Sequence, residues 1–305
     1  MDTKKLSDDI RFILNLPPIN EGVEWFSNEN WFDVIAEIVL VRQTPIEAVT
    51  SAVVALKMLL FEDSIPEQLL SSKITEKTKW PYADCQIRRS GKSVLNSFNL
   101  HIENLGKEPQ EIRFCDLSPS AFGNIVSLER YYNRSNRFFD AIHFLAPTEE
   151  QWNKAKELID NGKFKQSISP SFMGFDNKMS VLKALMDLHF NYNKSPKRDA
   201  TELKKSMMQI NGVGKETADT ILLYGYDVPL IIVDNYLRII AMRHNWIENR
   251  KISYKEFSSR LNALGLFNSS RNCKVFHARI DDIAKQWCDS KSPKCEGCPL
   301  RGNLV

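Results

Sequence analysis

The stretch INGVGKETAD, residues 210–219, sets Gly212 and Gly214 two apart, ahead of a run that favours helix. Glycine permits positive φ and lets another molecule come close to the backbone. Between two helices, such a turn presents several N–H groups at one helix N-terminus, and Lys215 adds a charge beside them. N–H groups gathered in this way bind phosphate without reading sequence. The alternative is a plain helix–helix corner. Shortly afterwards VPLIIVDNYLRII closes an apolar run with one acid, Asp234. Aspartate is a favoured N-cap, so Asp234 can open the helix that follows. Near the C-terminus, Cys288, Cys295 and Cys298 crowd into WCDSKSPKCEGCPL. That spacing suits a metal site better than a disulfide framework.

The elements that must position these residues read mainly as helices. NWFDVIAEIVLVRQ, PIEAVTSAVVALKMLLF, KMSVLKALMDLHFNY, ATELKKSMMQI, KETADTILLYGY, NYLRIIAMRHNW, SYKEFSSRLNALGLF and CKVFHARIDDIAKQWC carry apolar residues at spacings of three and four. SAFGNIVSLERYYNRSNRFFDAIHFLA reads in the same way. IRRSGKSVLNSFNLHIENL is the one segment with the signals of a short hairpin. NYNKSPKRDAT, rich in turn formers and charge, reads as a linker. With 305 residues, 43% hydrophobic and 26% charged, the chain suits one or two globular domains. The N-terminus has no signal-peptide pattern, and no apolar run reaches the roughly 18 residues that span a bilayer. A soluble intracellular protein with no membrane partner is expected. The net charge is +3, but Asn235–Val305 holds 13 Lys/Arg against 6 Asp/Glu. A basic C-terminal region on an otherwise slightly acidic chain suits a polyanion, or is simply a solvated basic surface.

Residues 202–240, ELKKSMMQINGVGKETADTILLYGYDVPLIIVDNYLRII, resemble the helix-hairpin-helix and Gly/Pro-rich-loop-Asp signature of the endonuclease III superfamily of DNA glycosylases. Weaker similarity lies in WFDVIAEIVLVRQTPIEAVTSAVVAL and FHARIDDIAKQWCDSKSPKCEGCPL, in family order. The resemblance implies an all-α, two-lobed fold with Asp234 in the cleft between the lobes and an insertion in the middle of the chain. It divides the chain into an N-terminal segment 1–40, a helical domain 41–232 carrying the hairpin at 201–224, and C-terminal helices 233–305. The insertion falls near 65–171. Two segments, LERYYNRSNRFFDAI and FMGFDNKMSVLKAL, both resemble the aromatic-Asn-x-Lys helix that precedes the family's hairpin.

By the same resemblance Asp234 is the catalytic acid, facing the sugar of a flipped nucleotide. Cleavage of an N-glycosidic bond builds oxocarbenium character, which a nearby carboxylate stabilises. Phosphate contacts would come from the amides of Gly212, Val213 and Gly214, with Lys215 nearby and Arg238 and Arg243 as further candidates. Bifunctional members carry a Schiff-base lysine where this chain has Glu216. Lys215 precedes that position by one residue, about 100° around the helix. A monofunctional enzyme that leaves an abasic site is therefore expected. GKETADTILLYGY and EWFSNENWFDV look closest to the 3-methyladenine glycosylase branch. There Trp25 and Phe26 would stack on an alkylated purine, which is cationic and electron-poor. Gln43, followed by Thr44, matches the glutamine that fills the gap left by the flipped base. Double-stranded DNA holding a damaged base would be the partner of a monomer, in cytoplasm and nucleoid or in a nucleus. The rivals are a glycosylase/lyase for oxidised or mismatched bases, and a helix-hairpin-helix protein that binds DNA without catalysis.

The family's iron–sulfur loop is Cys-x6-Cys-x2-Cys-x5-Cys. Cys288, Cys295 and Cys298 match its first three positions, and Leu304 stands at the fourth. A [4Fe–4S] cluster takes four thiolates, so the set is one short. Cys273 lies about four helical turns from Cys288, too far to complete it. Three cysteines with another ligand could instead hold zinc. Catalysis by the family's chemistry requires no cofactor.

Overall fold

A computed structural model describes residues 3–17, 30–41, 46–62, 111–114, 117, 141–142, 144–161, 175–289 and 291–301. Every long regular element among them is an α-helix. In chain order these are α1 (Thr3–Asn15), α2 (Trp31–Leu40), α3 (Ile46–Phe61), α4 (Glu149–Asn161) and α5 (Phe175–Lys194). Then follow α6 (Ala200–Met207), α7 (Lys215–Gly225), α8 (Asn235–Arg243), α9 (Tyr254–Asn262) and α10 (Ser270–Gln286). A short 3-10 turn, Cys295–Gly297, closes the series. The hairpin read in residues 87–105 lies outside the described residues, as does most of the helix read at 120–146. Two helices, α1 and α4, were not anticipated. No described helix is long and apolar enough to cross a membrane.

The chain forms two compact units, residues 35–190 and residues 1–34 with 191–305. In the first, α3 packs against α4. Trp152 of α4 is fully buried, its ring centroid 6.5 Å from that of Phe61. The Trp152 indole N–H donates to Asp187 of α5 at 2.9 Å, and Lys156 pairs with the same carboxylate at 3.0 Å. Lys57 of α3 is buried too, and its ammonium donates to the Ile142 carbonyl at 3.1 Å. Residues 142–156 thus supply part of this unit's core, although they fall within the span read as an insertion.

The second unit is built around α10, whose stripe of Cys273, Phe276, Ile280 and Ile283 is almost wholly buried. These positions recur at three and four residues, the spacing that keeps one helical face toward the core. Against α10 pack α1, through Leu6, Ile10 and Ile13, and α8, through Leu237, Ile240 and Ala241. Each such side chain taken from water stabilises the fold by about 1.5–3 kcal/mol, less for the alanine. Two polar bonds tie α1 in place. Trp246 donates to the buried Asp9 carboxylate at 2.8 Å, and Arg279 donates to the Leu16 carbonyl at 3.1 Å.

Candidate active site

The hairpin is the pair α6 and α7, which pack on one another. Its turn tightens through Ile210 N–H to the Met207 carbonyl and Val213 N–H to the Ile210 carbonyl, both at 3.0 Å. Gly212 sits at φ +94°, where a side chain would be strained. Gly214 is different: its φ is −90°, and a Cβ built there would meet nothing within 4 Å. Gly214 is the N-cap of α7, and no side chain caps that end. Every other helix from α6 to α10 has one: Asp199, Asp234, Ser253 and Ser269 each accept from their first turn. Lys215 and Glu216 are exposed on the first turn of α7. The Val213 side chain is buried and its N–H is bonded within the turn. Of the three amides read as phosphate contacts, that of Val213 is thus taken up within the turn. A buried carboxylate on α7, Asp219, is ion-paired with Lys204 of α6, which clamps the two arms together.

The loop after α7 delivers the acid. Val228 N–H returns to the Leu222 carbonyl at 3.0 Å, and Asp227 takes a left-handed conformation at φ +59°. Lys274, at the start of α10, holds Asp227 at 2.7 Å. Ile231, Ile232 and Val233 are then buried in sequence, so the chain is anchored on both sides of the turn. Asp234 follows as the N-cap of α8, its Oδ1 accepting from Leu237 N–H at 2.7 Å. Its side chain is only 13% exposed, and Oδ2 lies 3.9 Å from His277 Nε2. Burial raises the carboxyl to about 6, although backbone N–H groups and Arg238 pull the other way. The carboxylate is thus ionised near neutrality but held in surroundings that disfavour its charge. A developing cation beside it would relieve that cost.

Neither His277 nor Tyr224 was singled out from sequence. Tyr224, in the last turn of α7, places its hydroxyl 2.8 Å from His277 Nδ1. Burial drives the histidine down to about 4, and burial drives the tyrosine upward. Asp281, one turn along α10, is raised to about 6 by burial and pairs with Lys285 at 2.8 Å. Residues four apart on one helix, such as His277 and Asp281, share a face, and that was the available signal. Which face meets Asp234 was not in the spacing.

Arg238 and Arg243 are engaged elsewhere. Arg238 donates from Nη1 to the Arg250 carbonyl at 2.9 Å and the Ile252 carbonyl at 2.6 Å, bracing the loop before α9. Arg243 donates to the Cys288 carbonyl at 2.8 Å and to its Sγ at 3.1 Å. Cys288 is buried, while Cys295 and Cys298 are half-buried. Leu304, at the family's fourth thiolate position, has no donor atom and lies outside the described residues. Cys273 is buried in the first turn of α10 with its thiol toward the Phe267 carbonyl. Among the described residues no group of three or more His, Cys, Asp or Glu side chains is arranged to hold a metal. Among the described residues the loop's own set of Cys288, Cys295 and Cys298 is one thiolate short of a four-thiolate cluster. Trp25, Phe26, Gln43 and Thr44 lie outside the described residues.

No family model matches the chain. A protein of Methanocaldococcus jannaschii named "Putative DNA repair glycosylase" is 33% identical over 150 residues, covering 47% of this chain and 66% of that protein. The chain therefore spans just under two thirds of that relative. Solved structures similar to it include an endonuclease III in a non-covalent complex with DNA, at 16% identity and a TM-score of 0.47, covering 100% of this chain and 95% of that one. Another is a thermostable thymine-DNA glycosylase, at 14% identity and a TM-score of 0.44, covering 99% of this chain and 95% of that one. The uncapped glycine hairpin, the anchored loop and the capping aspartate thus stand in a chain that is similar in sequence to a protein named as a DNA repair glycosylase.

Proposed function

We propose that the protein is a monofunctional DNA glycosylase of base excision repair, acting as a monomer on double-stranded DNA. It would hydrolyse the bond joining an alkylated purine to its sugar and leave an abasic site. The observation that carries this is Asp234: a largely buried carboxylate, fixed through one oxygen by its own helix, a short loop after a hairpin suited to phosphate. Such a group stabilises the oxocarbenium-like sugar as the C1′–N bond breaks and its electron pair leaves with the base. Water then adds to C1′ and gives up a proton. The relative's name supports the same reaction class. An alkylated purine is already cationic, so it departs with modest assistance. Glu216 occupies the position of the lyase lysine and Lys215 precedes it, which supports hydrolysis without strand cleavage.

The test is release of base from methylated duplex DNA by the wild type and by Asp234→Asn, with and without alkali. Methylated purine released by the wild type alone, with strand breaks only after alkali, is the expected result. Breaks without alkali would show a lyase and overturn the argument from Glu216. Tight DNA binding without release of any damaged base would leave a binding protein.

A further inference from the structure

We propose that His277 is a positioning residue for Asp234, held by Tyr224 so that its Nε2–H points at the carboxylate oxygen not bound by the backbone. The inference rests on the glycosylase reading of Asp234. Three elements meet here: the last turn of α7, the cap of α8 and the middle of α10. Asp234 Oδ1 is engaged by Leu237 N–H, so Oδ2 is the oxygen left for chemistry. His277 Nε2 stands 3.9 Å from that atom, and Tyr224 holds Nδ1 at 2.8 Å from the other side.

A neutral imidazole carries its proton on one nitrogen only. If the tyrosine donates to Nδ1, the proton sits on Nε2 and faces the carboxylate. The opposite assignment turns the Nε2 lone pair toward a negative oxygen, which is repulsive. Burial keeps the ring neutral and the phenol protonated, so the two neighbours select the first arrangement. Among the described residues, other charged or titratable groups near His277 and its two neighbours are Lys274, Cys273, Asp281, Asp282 and Lys285 on α10, and Arg238 on α8. Lys285 is bound to Asp281, which weakens that carboxylate as a rival for the ring. At 3.9 Å the Nε2–Oδ2 contact is longer than a hydrogen bond. Across that gap the N–H acts on the carboxylate as an oriented dipole.

Two variants of the full chain separate positioning from core filling. His277→Asn can reach the Tyr224 side but not Asp234, whereas His277→Gln can place an N–H where Nε2 stands. The Asp234 carboxyl is followed by carbon NMR across pH, alongside single-turnover base release from methylated duplex DNA. The expected result for His277→Asn is a rise of about one unit in the Asp234 midpoint, about tenfold in its ionised fraction below that midpoint. The acid limb of base release should move with it while DNA affinity holds. His277→Gln should restore both, and Tyr224→Phe should fall between. An unmoved midpoint and acid limb in His277→Asn would overturn the inference. So would equal losses of rate and stability in both histidine variants, the signature of a residue that merely fills space. If the wild type releases no base while the midpoint still shifts, the pairing stands and the glycosylase reading fails.

Discussion

Asp234→Asn should make the protein more stable, not less, above about pH 6. Burial raises this carboxyl to about 6 from an ordinary 3.8. In the unfolded chain the proton leaves near 3.8, and in the folded chain near 6. Between those values the unfolded state binds fewer protons, so stability falls as pH rises. The favourable contribution is complete below 3.8 and gone above 6. At about 1.4 kcal/mol per unit, the ionised carboxylate costs the folded state about 3 kcal/mol. The charged bond to Leu237 N–H is already within that figure, because it opposes the shift. Asparagine keeps an acceptor for the same N–H and carries no charge to bury. Asp281 should gain slightly as well, since Asp234 is one of the charges raising it. Denaturant unfolding of both proteins from about pH 4 to about pH 8 gives the difference directly from midpoints and slopes. The gap should be near zero at the acid end and reach about 2–3 kcal/mol in favour of the variant by neutrality. Base release should meanwhile fall by about 10²–10³-fold. A gap that stays flat across this range would refute the claim that Asp234 is held ionised at a cost.

Five further outcomes follow from the geometry. Gly212→Ala should lose about 1–2 kcal/mol in denaturant unfolding, because its φ of +94° forces a side chain into a strained region. Gly214→Ala should unfold within about 0.5 kcal/mol of wild type yet bind duplex DNA more weakly, since its methyl projects into the open space an approaching phosphate would use. Arg238→Ala should lower stability by about 1–3 kcal/mol through the two carbonyls it serves, with no change in the salt dependence of DNA binding. Lys215→Ala should instead reduce that salt slope by about one phosphate contact. Lys204→Met should cost about 3 kcal/mol in unfolding measurements, because it leaves Asp219 buried without its cation.

The linear pattern was enough for the parts of this protein governed by local rules. Gly-x-Gly before an apolar stripe specifies a hairpin, because only glycine takes φ near +94° without strain. An acid directly before NYLRII specifies a helix cap, because its carboxylate reaches the first-turn N–H. The three-four spacing specified the helices around them. Other features were invisible there. The helix α1 was missed among its charges; its buried Asp9 meets Trp246, 237 residues away. Arg238 and Arg243 read as candidate phosphate contacts, and only the fold supplies the carbonyls to which they donate. Above all, the sequence singled out Asp234 as a candidate but not what surrounds it. Tyr224, Asp234 and His277 belong to three segments, and only the packing of α8 on α10 and the anchored loop after α7 bring them together. Burial, which sets the charge state of all three, is a property of that packing and of no single residue.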